Sequence, residues 1–180
     1  MENNTETLQY PVGRYTQPKT FDKQQLKEWT DILKALPLWM DACIENLDEP
    51  QLHIPYREGG WTIQQVVHHV ADSHMNAYIR LKSALTTINP SVAPYEEKAW
   101  ALTEDVNKVP VNISVTLLHA LHLRLVALID GLSPADLERT YYHPGYDKTF
   151  SVWEVISLYA WHSRHHTAHI MELRKRMNIK

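Results

Sequence analysis

Trp161-His162-Ser163-Arg164-His165-His166-Thr167-Ala168-His169 places four of the chain's eleven histidines within eight residues. In a helix, residues four apart lie one above the other, so His162/His166 and His165/His169 each offer two imidazoles to one ion. Helical periodicity separates the two pairs. Stepping by three and four, Val155, Tyr159, His162, His166, Ile170, Leu173 and Met177 form a nearly apolar stripe, the face such a helix buries. His165 and His169 run on to Glu172 and Arg176, a side that belongs in water. Stacked neutral rings in an apolar stripe need a shared partner, because each otherwise leaves polar nitrogens unbonded. The His-x-x-x-His spacing alone is a weak signal: a surface histidine tract, or core histidines each bonded to a carbonyl, shows it too. A further ligand from elsewhere in the chain would favour metal.

A length of 180 residues suffices for one domain with a full core, and the chain reads as a single domain over 1–180. Eighteen Lys plus Arg against twenty-one Asp plus Glu give a formal net charge of −3, with no basic run to track phosphates; nucleic acid is not an expected partner. Cys43 is the single cysteine, which rules out an intrachain disulfide, and the polar start Met1-Glu2-Asn3-Asn4 is no export signal, so a cytoplasmic location fits. The most apolar run, residues 117–132, is interrupted by His119, His122, Arg124 and Asp130 and reads as too polar and too short to cross a bilayer. Five glycines and few β-branched alternations point to packed helices.

Residues 1–19 carry Pro11, Gly13 and Pro18, show no helical period, and read as an extended arm. Asp22 with Gln25 caps a first helix running through Leu26, Trp29, Leu33, Leu36 and Met40 toward Leu47, with Pro37 expected to kink or split it. After the loop 51–60, Thr62 with Gln65 opens a second helix that ends before Asn89-Pro90. His69 sits at the edge of its apolar stripe. His68 falls on the polar side with Asp72, and His74 lies on the stripe as a core histidine with one satisfied bond. Residues 90–113 read as a cover over the bundle, with Tyr95 and Trp100 either walling a pocket or packing the loop down. A third helix spans about 114–129 on a stripe of Val115, Leu118, Leu121, His122, Leu125 and Leu128 and ends at Gly131; Ser133-Pro134 caps a short turn to Leu137; residues 141–150 form a hairpin around Pro144-Gly145; Ser151 with Glu154 opens the last helix. The expected fold is all-α: an up-down four-helix bundle with an extended N-terminal arm and a small β-hairpin before the last helix.

The phrases WTIQQVVHHVADSHMN at 61–76, VAPYEEKAW at 92–100 and YAWHSRHHTAHI at 159–170, with the arm LQYPVGRY at 8–15, resemble the DinB-like superfamily. Its YfiT branch, described as metal-dependent hydrolases and as bacillithiol S-transferases, is most similar. The resemblance implies a bundle binding one divalent metal, zinc or nickel, through a histidine of the second helix and a His-x-x-x-His of the fourth. The ligands then fall on His69, His162 and His166. Many members continue the last motif with Arg-Gly-Gln; this chain has Thr167-Ala168-His169, which leaves His169 open as a fourth ligand or substrate contact, against its outward face. A homodimer is implied on the same ground. Parallel second and fourth helices with a modest axial offset would bring His69, about 10 Å into one, level with His162 and His166, roughly 16–22 Å into the other.

Three neutral imidazoles leave a divalent ion with open positions, the arrangement of a catalytic rather than a closed structural site. The first expectation is a thiol S-transferase, in which a low-molecular-weight thiol, bacillithiol-like by resemblance, loses its proton at the ion and attacks an electrophilic substrate. Arg57, Asn76, Arg80 and Tyr95 are the candidate substrate-binding residues for an anionic thiol, and no catalytic residue is expected beyond the metal site. The alternatives are a hydrolase using metal-activated water, which lacks a carboxylate base on the His162/His166 stripe, and a non-enzymatic metal-binding bundle.

Overall fold

A computed structural model describes residues 2–179. The elements are α1 (Glu2–Gln9), α2 (Lys23–Ile44), α3 (Glu49–Leu52), α4 (Ile63–Thr86), α5 (Glu97–Trp100), α6 (Glu104–Lys108), α7 (Val111–Asp130), α8 (Pro134–Leu137), β1 (Thr140–His143), β2 (Lys148–Ser151) and α9 (Val152–Arg176). The long helices α2, α4 and α9 start at capping boxes: Asp22, Thr62 and Ser151 accept from the backbone N–H three residues on, and Gln25, Gln65 and Glu154 return the bond. α7 begins at Val111, ahead of the expected start, directly after Pro110. Residues 2–9 are helical where an extended arm was expected; the polar sequence ENNTETLQ carries no apolar stripe to reveal it. Pro37 does not split α2. Its ring nitrogen has no hydrogen, however, so the carbonyl four residues back, that of Leu33, lacks a helical partner.

Around the bundle the order is α2, α7, α4, α9, each packed on two neighbours. Phe21 stacks on Trp153 beside the starts of α2 and α9, and Arg174 donates to the carbonyls of Cys43 and Glu45 near their ends, so these two run parallel. His68 meets Ser114 and His74 meets His122, so α4 and α7 also run parallel. Between α4 and α9 the numbering opposes, with His69 against His166 and Ser73 against Tyr159. The long helices therefore run up, down, down, up, and α4 and α9 are antiparallel, which corrects the expected parallel pair. That expectation required every successive helix to reverse; the connection 87–110 is long enough to carry the chain back to the same end.

α7 is long and apolar enough, by length and composition, to span a bilayer, which corrects the reading of residues 117–132; Val111, Ile113 and Val115 lengthen it. One side of it, with Val115, Leu118, His122 and Leu125, is nevertheless core. That core has two apolar clusters. One gathers Leu33, Ala77, Leu81, Leu125, Ile129 and Ile156; the other gathers Leu36, Met40, Val66, Val70, Leu118 and Ile170. On α4, α7 and α9 the residues between the clusters include His74, His122, and His162 with His166, so a polar layer crosses the bundle at mid-height. The antiparallel hairpin, with Tyr141 opposite Phe150, packs on α4 and α9.

Leu118 is fully buried in the second cluster, away from the histidine layer. Leu118→Ala should lower the free energy of unfolding by about 2–5 kcal/mol in urea titrations while helical circular dichroism persists; a loss under about 1 kcal/mol would contradict this packing.

Candidate metal centre

His69 Nε2 and His162 Nε2 lie 3.3 Å apart, and one ring nitrogen from each of His69, His162 and His166 lies within 4.8 Å of the others. A tetrahedral ion with bonds of about 2.0–2.1 Å spaces its ligand nitrogens roughly 3.3 Å apart, so these three rings could hold one cation. Burial, then the neighbouring imidazoles, push His162 and His166 well below the ordinary histidine range, and burial followed by the charge of His169 brings His69 to about 4. All three are neutral at pH 7, with a lone pair each to give.

His165 and His169 do not face water, contrary to the sequence reading: they are 8% and 3% exposed. The N-terminal arm covers them. Tyr10 packs on His165, Tyr15 on Trp161, and Trp161 Nε1 donates to the Gly13 carbonyl. His169 Nε2 donates to the Gln9 carbonyl at 3.0 Å, and its ring stacks on Tyr56. Periodicity along one helix cannot reveal a second cover supplied from the other end of the chain. His165, His166 and His169 also bring ligand atoms within 4.8 Å of one another. Both nitrogens of His169 are already engaged, Nε2 by Gln9 and Nδ1 by His166 Nδ1 at 3.4 Å, which disfavours this second group.

His68, expected on a polar side, is buried, with Nδ1 2.8 Å from Ser114 Oγ and Nε2 3.1 Å from the Val109 carbonyl. α7 and the segment before it close over that side. His74 is a core histidine as expected, but with two ring contacts: Nε2 is 3.2 Å from His162 Nδ1, and Nδ1 is 3.1 Å from His122 Nε2. His122 Nδ1 in turn lies 2.6 Å from the Leu33 carbonyl. Sequence reasoning left His122 as one more stripe residue of α7; a histidine among leucines was the signal.

The cluster opens on a cavity of about 800 Å3. Arg57 and Arg80 line it; Asn76 turns back to donate to the Asp72 carbonyl, and Tyr95 packs on Trp100 with the Arg80 guanidinium 5.8 Å from its ring centre, both off the cavity wall. Tyr56, Tyr141 and His143 also line the cavity, without having been marked by any motif. Burial drives the Cys43 thiol up to about 12, which removes it as a nucleophile.

The model of the DinB superfamily matches residues 39–170. Proteins of Bacillus mycoides (strain KBAB4) and Bacillus cereus (strain AH820), whose names contain the words "metal-dependent hydrolase", are each 48% identical over 171 residues, covering 95% of this chain and 98% of their own length. YfiT from Bacillus subtilis, described as a probable metal-dependent hydrolase with an unusual four-helix bundle topology, matches with a TM-score of 0.94 at 41% identity over 97% of this chain and 99% of that one. The four-helix bundle protein TT2238 shares the fold at 22% identity, with a TM-score of 0.53 over 86% of this chain and 99% of its own.

The buried histidines take up protons on unfolding, since His69, His122 and His169 titrate at about 4 in the fold and near 6.5 when exposed. Stability is therefore full above pH 6.5 and is lost as the pH falls toward 4, opposed only in part by Asp72, whose carboxyl burial raises to about 6. Melting of the metal-free protein should show a nearly level midpoint above about pH 6.5 and a steady fall from there toward about pH 4; an unchanged midpoint across that lower range would contradict it.

Proposed function

The chain belongs to the DinB superfamily, and on that premise we propose that it is a metal-dependent enzyme holding one divalent ion, zinc or nickel, on His69, His162 and His166. The observation that carries this reading is the convergence of three neutral imidazoles on one point beside an open cavity. A closed structural site spends all four positions on protein, whereas a cluster facing open space keeps one for a visitor. A purely stabilising ion has no use for that cavity. When bound, the ion supplies Lewis-acid charge that lowers the pKa of a thiol or water in its open position.

Among the described residues, none of these imidazoles, nor those of His74, His122, His165 and His169, bonds to a carboxylate, so no general base stands beside them. A thiol, with an ordinary pKa of about 8.5, reaches its anion without one far more readily than water does. Transfer from a low-molecular-weight thiol therefore ranks first: its proton leaves to solvent, a bond forms from sulfur to an electrophilic carbon, and the bond from that carbon to its leaving group breaks. Hydrolysis is the second reading, favoured by the names of the Bacillus relatives and by Glu97, whose carboxylate lines the cavity.

The wall also suggests the substrate's charge. Arg57, Arg80 and Lys98 line it against the single acid Glu97, in a chain whose net charge is −3. Arg80 is 8% exposed, has no carboxylate partner among the described residues, and leaves Nε unbonded. A buried guanidinium with no bonded counter-ion is costly; Glu97 offsets its charge only through space, without an ion pair, and an anionic substrate group would bond it directly. Arg57 Nε is unbonded too, while Tyr95 supports Arg80 from behind. Asn76 is the weakest of the four.

Elemental analysis of tag-free protein loaded with zinc should find about one ion per chain, and His166→Ala should lose most of it while remaining helical. The loaded protein should consume a thiol with 1-chloro-2,4-dinitrobenzene faster than it cleaves an ester panel. Arg80→Gln should raise KM for a carboxylated thiol about 10-fold, the loss of one charge-assisted contact. Metal retained by His166→Ala would sink the ligand set, and ester cleavage without thiol consumption would promote hydrolysis.

A further inference from the structure

The three rings of the candidate centre are held from behind, and the way they are held has a direction. Two files of imidazoles lead away from it, and each ends on a backbone carbonyl. The first runs from His162 through His74 and His122 to Leu33, with gaps of 3.2, 3.1 and 2.6 Å. The second runs from His166 through His169 to Gln9, with gaps of 3.4 and 3.0 Å. Both terminal carbonyls are ones that helix geometry leaves open. Leu33 stands four residues before Pro37, which has no N–H to offer it. Gln9 is the last residue of α1, where carbonyls run out of helical donors.

We propose that Pro37 fixes which nitrogen of His162 carries its proton, acting through the Leu33 carbonyl, His122 and His74. A carbonyl oxygen only accepts, so His122 donates from Nδ1. A neutral imidazole has one N–H, so His122 Nε2 must accept, and the facing nitrogen of His74, Nδ1, donates. The same step passes on: His74 Nε2 accepts from His162 Nδ1, and His162 Nε2 keeps a bare lone pair 3.3 Å from His69 Nε2. Reversing the file would set the His122 lone pair against that of the Leu33 carbonyl at 2.6 Å. His74 and His122 are 0% and 2% exposed and touch directly, which shields the file from bulk solvent. The second file works in the same sense: His169 Nε2 donates to Gln9, its Nδ1 accepts from His166 Nδ1, and His166 Nε2 is left bare.

Pro37, His122 and His74 are thus positioning residues. Imidazoles that bind metal ordinarily take this orientation from a carboxylate, carbonyl or water at the second nitrogen; here two further imidazoles carry it from a proline in another helix. This inference rests on the proposed ligand set only for its consequence, since the proton order belongs to the metal-free protein.

Long-range 1H–15N NMR of the metal-free full chain at pH 7.5 reads the tautomers directly. His122, His74 and His162 should each appear as the Nδ1–H form and His169 as the Nε2–H form. An Nε2–H form at His122 or His74 would overturn the proposal. Pro37→Ala restores an N–H that competes for the Leu33 carbonyl within a helix alanine favours. It should mix the tautomers of all three histidines and weaken zinc binding about 10-fold, the usual scale for losing such support. Unchanged tautomers and unchanged affinity in Pro37→Ala would remove the proline from the account. His122→Phe, which cuts the file without touching α2, should free the tautomers of His74 and His162; ordered Nδ1–H forms there would equally contradict it. If zinc fails to bind the unaltered protein, the ligand reading fails while the NMR result stands on its own.

Discussion

An imidazole buried in a helical bundle has two nitrogens to satisfy, one as donor and one as acceptor, and leaving either bare costs about 1–3 kcal/mol. Seven clustered histidines face that demand here, and they meet it mostly through one another and through carbonyls. Much else in the architecture follows from it. The histidine layer parts the apolar core into two clusters, one toward the hairpin and one toward the far ends of α2 and α9. Where the files converge, nitrogens of His69, His162 and His166 face a common point, and a cation is the partner that satisfies three lone pairs at once.

The connections make that convergence possible. A strict alternation of helix directions would have left α4 and α9 parallel; the long 87–110 passage keeps α7 parallel to α4, and α9 then returns antiparallel to α4 with His69 against His166. The N-terminal arm finishes the job from outside. It runs along α9 from Gln9 to Gln17, turns a nominally polar side of that helix into an interior, and supplies the carbonyl on which His169 ends. The hairpin and the 90–100 segment bring Tyr141, His143, Glu97 and Lys98 to the cavity on the other side. Helices and connectors thus divide the labour, the helices holding the imidazoles and the loops shaping what can reach them.

The parts of this design governed by local rules were legible in the sequence. Capping boxes at Asp22, Thr62 and Ser151 marked three of the four long helices, and the stripe through Tyr159, His162, His166 and Ile170 marked a buried face. What needed contacts between distant segments was not. His165 and His169 fell on a side that the arm and Tyr56 close, and His68 on a side that α7 and the segment before it close. Pro37 read as a break, because a missing donor looks like damage until a ring from another helix is seen at the carbonyl it frees. His122 read as core, which it is, without hinting at the ring it touches. Arg57 and Arg80, candidates for an anionic substrate, do line the cavity, whereas Asn76, on the same helix as Arg80, turns away because its amide donates to the Asp72 carbonyl one turn back.

The central claim is that three imidazoles, and nothing else from the protein, would surround one ion. X-ray absorption at the zinc edge, on the full chain loaded with one equivalent of zinc, tests it most directly. The account predicts a shell of three imidazole nitrogens at about 2.0–2.1 Å, completed by a light oxygen or nitrogen atom from solvent. A sulfur at about 2.3 Å, or a first shell showing no imidazole scattering, would contradict it.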